Sequence, residues 1–125
     1  MSKRIQKLDF MAPIRTVSEM NQREHWAVRM RRKTDQQLEM RAVMHNVLGG
    51  RKIQLPCSVR LTRIGPKALD KDNLAGSFKH VQDAIAKKLG VDDGSSQVTW
   101  EYDQMPIGVR NYGVKVEIES IGATK

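Results

Sequence analysis

Residues 72–90 read DNLAGSFKHVQDAIAKKLG. Leu74, Phe78, Val81, Ile85 and Leu89 recur at helical intervals and share one face. Lys87 and Lys88 suit the negative end of a helix, and Gly90 is a natural left-handed cap. The spacing predicts one helix over 73–89. Upstream, Ile53, Leu55, Cys57, Val59 and Leu61 alternate with Gln54, Pro56, Ser58, Arg60 and Thr62, which describes a half-buried strand. Gly65-Pro66 ends it. Downstream, Val98, Trp100 and Tyr102 alternate with polar residues, and Tyr112, Val114, Val116 and Ile118 form a last strand.

Toward the N-terminus, Leu8, Phe10, Ala12 and Ile14 mark a first strand near 5–14, with Pro13 pointing to a strand end or sheet edge. Ser18 and Asn21 are possible N-caps for a helical stretch, in one piece or two, that runs to Leu48 and stops at Gly49-Gly50. Its middle, Thr34 to Gln37, has no apolar residue and is expected to be exposed. The order strand, long helix, strand, helix, strand, strand is too irregular for a doubly wound sheet. It predicts an α+β fold, a mixed sheet with helices packed on one face, as a single domain over 1–125.

The 125 residues suffice for one core. Cys57 is the only cysteine, so no intramolecular disulfide forms, and its place on the apolar side of its strand predicts burial. No apolar run approaches the ~18 residues of a membrane span, and no signal-like segment opens the chain, so a soluble, cytoplasmic protein without a membrane partner is expected. His25, His45 and His80 lack zinc-type spacing. Trp100, Tyr102 and the methionines read as packing, as does Trp26, for which stacking on a base is the alternative.

The net charge of +8 is unevenly spread. Residues 1–67 carry 15 Lys and Arg against 5 acids; residues 68–125 carry 7 against 9. A basic half joined to an acidic one suits a metal-dependent enzyme acting on a polyanion. Asp70-Lys71-Asp72-Asn73 lies between a strand and a helix start. In an extended segment, Asp70 and Asp72 would face one side and share a hard divalent cation such as magnesium. Asp72 or Asn73 would also serve as an N-cap, a role that leaves Asp70 unexplained. Lys79, seven residues after Asp72, returns to nearly the same face of a continuous helix.

Taken together, Asp70-Lys71-Asp72-Asn73-Leu74, Lys79, Asp83-Ala84, Gly90, Asp92-Asp93 and a strand beginning Gln97-Val98 resemble the RusA family of Holliday-junction resolvases, found in bacteriophages and prophages. The resemblance is strongest over 70–102. It implies a homodimeric, Mg²⁺-dependent endonuclease (Mn²⁺ substituting) that cuts four-way DNA junctions in pairs, in the DNA-associated cytoplasm of a bacterial host. Asp70 and Asp72 then carry over as metal ligands and Asp93 as the third carboxylate, in preference to Asp92. Some members carry the family's lysine four residues after the second aspartate, where this chain has Gly76; Lys79 fits if Gly76-Ser77-Phe78 or a nearby triplet is an insertion. Arg60, Arg63 and Lys67 are expected to hold the DNA backbone near Asp70, and Arg29, Arg31, Arg32 and Lys33 to extend that surface over the junction arms.

A straight helix over 73–89 would be about 25 Å long. The four residues 90–93 reach back at most about 14 Å. Asp93 would then meet Asp70 and Asp72 only across a two-fold axis, giving composite active sites built from both chains. The alternative reading is a noncatalytic dimeric DNA-binding phage accessory protein. An RNA-binding module is a third.

Overall fold

The computed structural model describes residues 3–17, 25–92, 94–107 and 112–121. Nine elements follow in order: β1 (Arg4–Ile5), β2 (Lys7–Ala12), α1 (Trp26–Leu48), β3 (Lys52–Ile53), β4 (Cys57–Gly65), α2 (Lys71–Ser77), α3 (Lys79–Leu89), β5 (Val98–Pro106) and β6 (Gly113–Ser120). The main sheet has the order β2-β6-β4-β5. Strand β6 is antiparallel to both β2 and β4, whereas β4 and β5 run parallel. A parallel pair cannot be joined by a tight turn, so α2 and α3 form the crossover between them. Short strands β1 and β3 pair separately. The expected α+β fold with a mixed sheet is observed.

Alternation decides which face each strand buries. Cys57, Val59 and Leu61 of β4 stand beside Val114, Val116 and Ile118 of β6, with Phe10 and Ala12 of β2 alongside, all buried. From the helical side Met40, Met44 and Leu48 of α1 and Val81, Ala84 and Ile85 of α3 complete the same core. The opposite sheet face carries Arg60, Glu101, Glu117 and Glu119. Pro13 directly follows the edge strand β2, where its missing donor costs nothing.

Several elements differ from the expectation. The first strand is interrupted at Gln6, and the Ile53–Thr62 strand is split into β3 and β4 around Pro56. Helix α1 begins at Trp26, capped by His25, whose Nδ1 accepts from the Ala27 amide at 3.1 Å; Ser18 and Asn21 lie outside the described residues. In the middle of α1, Gln36 is buried rather than exposed, because its amide turns inward and donates to the Arg15 carbonyl at 3.0 Å. Conversely Trp26 is 70% exposed, with Met11, Met30 and Met105 also open to solvent, so these side chains are not core.

A further difference bears on the site. The helix predicted over 73–89 is two helices broken at Phe78. In an uninterrupted helix the Leu74 carbonyl would accept from the Phe78 amide. Here the Ser77 hydroxyl donates to that carbonyl at 2.7 Å, while the Phe78 amide turns to Ala75 and Gly76. Gly76 and Ser77 are weak helix formers, and a serine hydroxyl that competes for main-chain acceptors favours a break. Phe78 is fully buried beneath the joint, its ring stacked on Tyr102 at 5.7 Å. The apolar face survives the interruption; the length and phase of a single straight helix do not. Both caps at Gly49 and Gly90 are left-handed, as expected.

No helix among the described residues is long and apolar enough to cross a membrane. Cys57 is buried, and burial pushes its thiol above the ordinary value of 9.0. The unfolded chain therefore ionises this thiol first, so its contribution to stability is intact below pH 9.0 and is lost as pH rises toward the higher folded value. Urea titrations above pH 9.0 should show a steeper decline for wild type than for Cys57→Ala, the difference approaching about 1.4 kcal/mol per pH unit.

Candidate metal and nucleic-acid site

The approach to Asp70 is fixed from the neighbouring strand. Gln104 of β5 receives the Leu69 amide on Oε1 and donates Nε2 to the Leu69 carbonyl, both at 2.8 Å. One side-chain amide thus satisfies both main-chain groups of the residue before Asp70. Gln104 carried no local signal in the sequence, since its partner lies 35 positions away.

Asp70 is the N-cap of α2. Its Oδ1 accepts from the Asn73 amide at 2.9 Å and its Oδ2 from Asn73 Nδ2 at 3.1 Å. The expectation that Asp72 or Asn73 caps this helix is replaced: Asp70 does so, and Asp72 lies exposed in the first turn, where a negative charge is favoured by the helix dipole. Each Asp70 oxygen accepts one hydrogen bond and retains a second lone pair. The two carboxylates are therefore chemically competent oxygen donors for a hard cation, which needs only one or two from protein. Among the described residues no three His, Cys, Asp or Glu side chains gather as a metal-binding group. Asp93 lies outside the described residues. Asp92 is exposed and borders a hollow of about 490 Å³ with Lys87, Gly90, Ser95 and Gln97.

Lys79 is exposed and opens α3 immediately after the break. Its seven-residue relation to Asp72 therefore does not run through one helix, and that ground for facing it toward the acids is gone. The separation of the two acidic ends survives the break: Leu69 is tied to Gln104 near the end of β5, whereas Asp92 precedes the start of that strand at Val98.

The strand arginines also part company. Arg60 lies on the open sheet face, its Nε and Nη2 donating to Glu101 at 3.2 and 3.1 Å, and this partner raises its pKa. Arg63, three residues on, points into the helical side and is only 8% exposed. Its Nη1 donates to the Lys67 carbonyl at 2.8 Å, and Gly65, lacking a side chain, leaves room for the guanidinium. Burial lowers the Arg63 pKa, and its Nε has no hydrogen-bond partner among the described residues. Lys67 is exposed beyond the strand. Arg60 and Arg63 therefore do not share a face, because odd and even positions of β4 face opposite ways. Arg29, Arg31 and Lys33 are exposed on the first half of α1, with Arg32 partly covered.

A buried guanidinium with no carboxylate among the described residues is costly to desolvate. Arg63→Met is therefore expected to leave stability within about 1 kcal/mol of wild type or to raise it, as read by urea unfolding. No family model and no curated protein matches the chain.

Proposed function

We propose that this chain is a magnesium-dependent endodeoxyribonuclease that resolves four-way DNA junctions and other branched DNA by paired phosphodiester cuts, as the RusA resemblance suggests. The observation that supports it most is the exposed Asp70-x-Asp72 pair at the start of α2, anchored through Leu69 by Gln104 in a chain of net charge +8. Asp70, Asp72 and Asp93 would hold the cation. When bound, magnesium supplies activation of water and neutralises charge on the phosphate. The protein's own part is to fix Asp70 through its cap hydrogen bonds and Gln104 and, as the resemblance implies, to offer Lys79 as a positive charge for the phosphate. The reaction belongs in the bacterial cytoplasm, on host or phage DNA.

Incubation with a synthetic four-way junction is the direct test. Symmetric nicks in Mg²⁺ or Mn²⁺, absent in EDTA, are expected. An intact junction with either cation, under conditions where the protein binds it, removes the nuclease reading.

A two-fold homodimer is part of the proposal, because a symmetric junction cut in pairs calls for two equivalent sites. Mixing Asp72→Asn with Asp93→Asn chains tests composite sites: shared sites regain nicking in the heterodimer, and sites held within one chain do not. The second reading, a noncatalytic DNA-binding accessory protein, is favoured by one observation. Asp70 has a sufficient structural role as an N-cap with both oxygens engaged.

A further inference from the structure

Two adjoining hollows lie where the C-terminal ends of α1 and α3 meet, one of about 440 Å³ and one of about 700 Å³. They share His45 and Lys88 on their walls. Their charged lining is Arg4, Arg41, Arg51, Lys52, Lys87 and Lys88, without a single acid. All six are exposed. No ion pair joins any of them to a carboxylate of the described residues, although the chain holds 14 acids.

Cations gather at helix C-termini for an ordinary reason, and Arg51 shows it by donating to the Leu48 and Val47 carbonyls at 2.8 and 2.7 Å. That reason is too small here. Two helix ends amount to about one negative charge. Six cations leave a large unbalanced excess, and holding like charges together is unfavourable without a counter-charge. The side chains are long, solvated and spread along a trough rather than closed around one point. That arrangement suits a chain of phosphates, bound through release of counterions, better than a single small anion.

We infer that this trough is a binding track for the phosphodiester backbone of nucleic acid. It deepens the nuclease reading and rests on it for the identity of the polyanion. One end of the track borders the loop that carries Asp92: the hollow beside that residue shares Lys87 with one part of the trough and Gly90 with the other. A backbone lying along Arg41, Lys87 and Lys88 would thus be delivered to the loop that carries Asp92.

The test compares two charge-matched double variants of the full chain. Lys87→Gln/Lys88→Gln alters the trough; Lys7→Gln/Lys115→Gln removes the same charge from the opposite face of the sheet. Fluorescence anisotropy with a labelled four-way junction and a labelled duplex, in EDTA so that nothing is cut, gives affinity against salt. The trough variant should show a log–log salt slope shallower by about two, for both DNAs, with the control variant at the wild-type slope. Circular dichroism should show both variants folded, since Lys7, Lys87 and Lys88 are exposed and the half-buried Lys115 lies on the polar face of the sheet.

A trough variant with the wild-type slope overturns the inference, and so does an equal loss in both doubles, which would report net charge alone. Wild-type binding to phosphatidylserine vesicles but not to DNA overturns it in favour of a membrane surface. The nuclease reading fails separately: a wild type that binds through the trough yet leaves the junction uncut in Mg²⁺ removes that reading and keeps the track. Undiminished cleavage together with an unchanged slope does the reverse.

Discussion

Asp70→Asn should abolish junction cleavage in Mg²⁺ while leaving the fold and junction binding intact. Asparagine caps helices about as well as aspartate, so α2 keeps its start and the Asn73 amide keeps an acceptor. What is lost is a full negative charge and a hard oxygen donor. Several kcal/mol of charge stabilisation at the phosphate depend on the cation, so the expected loss in rate is roughly 10³-fold. Asp70→Ala separates the two roles. It removes the cap as well and should cost about 1 kcal/mol of stability in addition. Thermal melts and single-turnover cleavage of a labelled junction read both effects. If Asp70→Asn cuts at the wild-type rate, the carboxylate serves only the helix and the noncatalytic reading takes over.

Phe78→Ala is expected to have the largest effect on stability, about 3–5 kcal/mol. The ring is completely buried at the joint between α2 and α3 and stacks on Tyr102. Nothing nearby can collapse into the void without moving one helix. Total stabilities of small domains are about 5–15 kcal/mol, so the variant should be marginal at 37 °C. Tyr102→Phe is the milder companion. It keeps the stacked ring and removes only the hydroxyl that donates to Gln82 Oε1 at 2.6 Å, a change worth about 1 kcal/mol. Urea unfolding of the pair checks this ranking. A Phe78→Ala cost below that of Tyr102→Phe would mean the joint is not held by burial.

Much of the fold was legible because it follows from local periodicity. The alternation of Cys57, Val59 and Leu61 and the stripe of Val81 and Ile85 each declare a buried face within one element. Gly49 and Gly90 announce the helix ends through a backbone conformation that glycine adopts at little cost. The features that escaped depend on competition or distance. Ser77 breaks a helix whose apolar pattern continues across it, so periodicity alone reads one helix. Gln36 and Arg63 are polar by type and buried by tertiary context. The site shows the same division: the Asp-x-Asp spacing was visible, whereas which aspartate caps the helix depends on where the loop before it is held. The trough was not visible because its cations come from segments of α1, β1, β3 and α3 that only the fold brings together.

Gln104 grips Leu69 solely through main-chain atoms. The loop that presents Asp70 is therefore addressed by its peptide groups, while the Leu69 side chain is left to pack against the core. Another apolar residue at 69 would keep both the packing and the grip, while a change at Gln104, on β5, would unmoor the carboxylate.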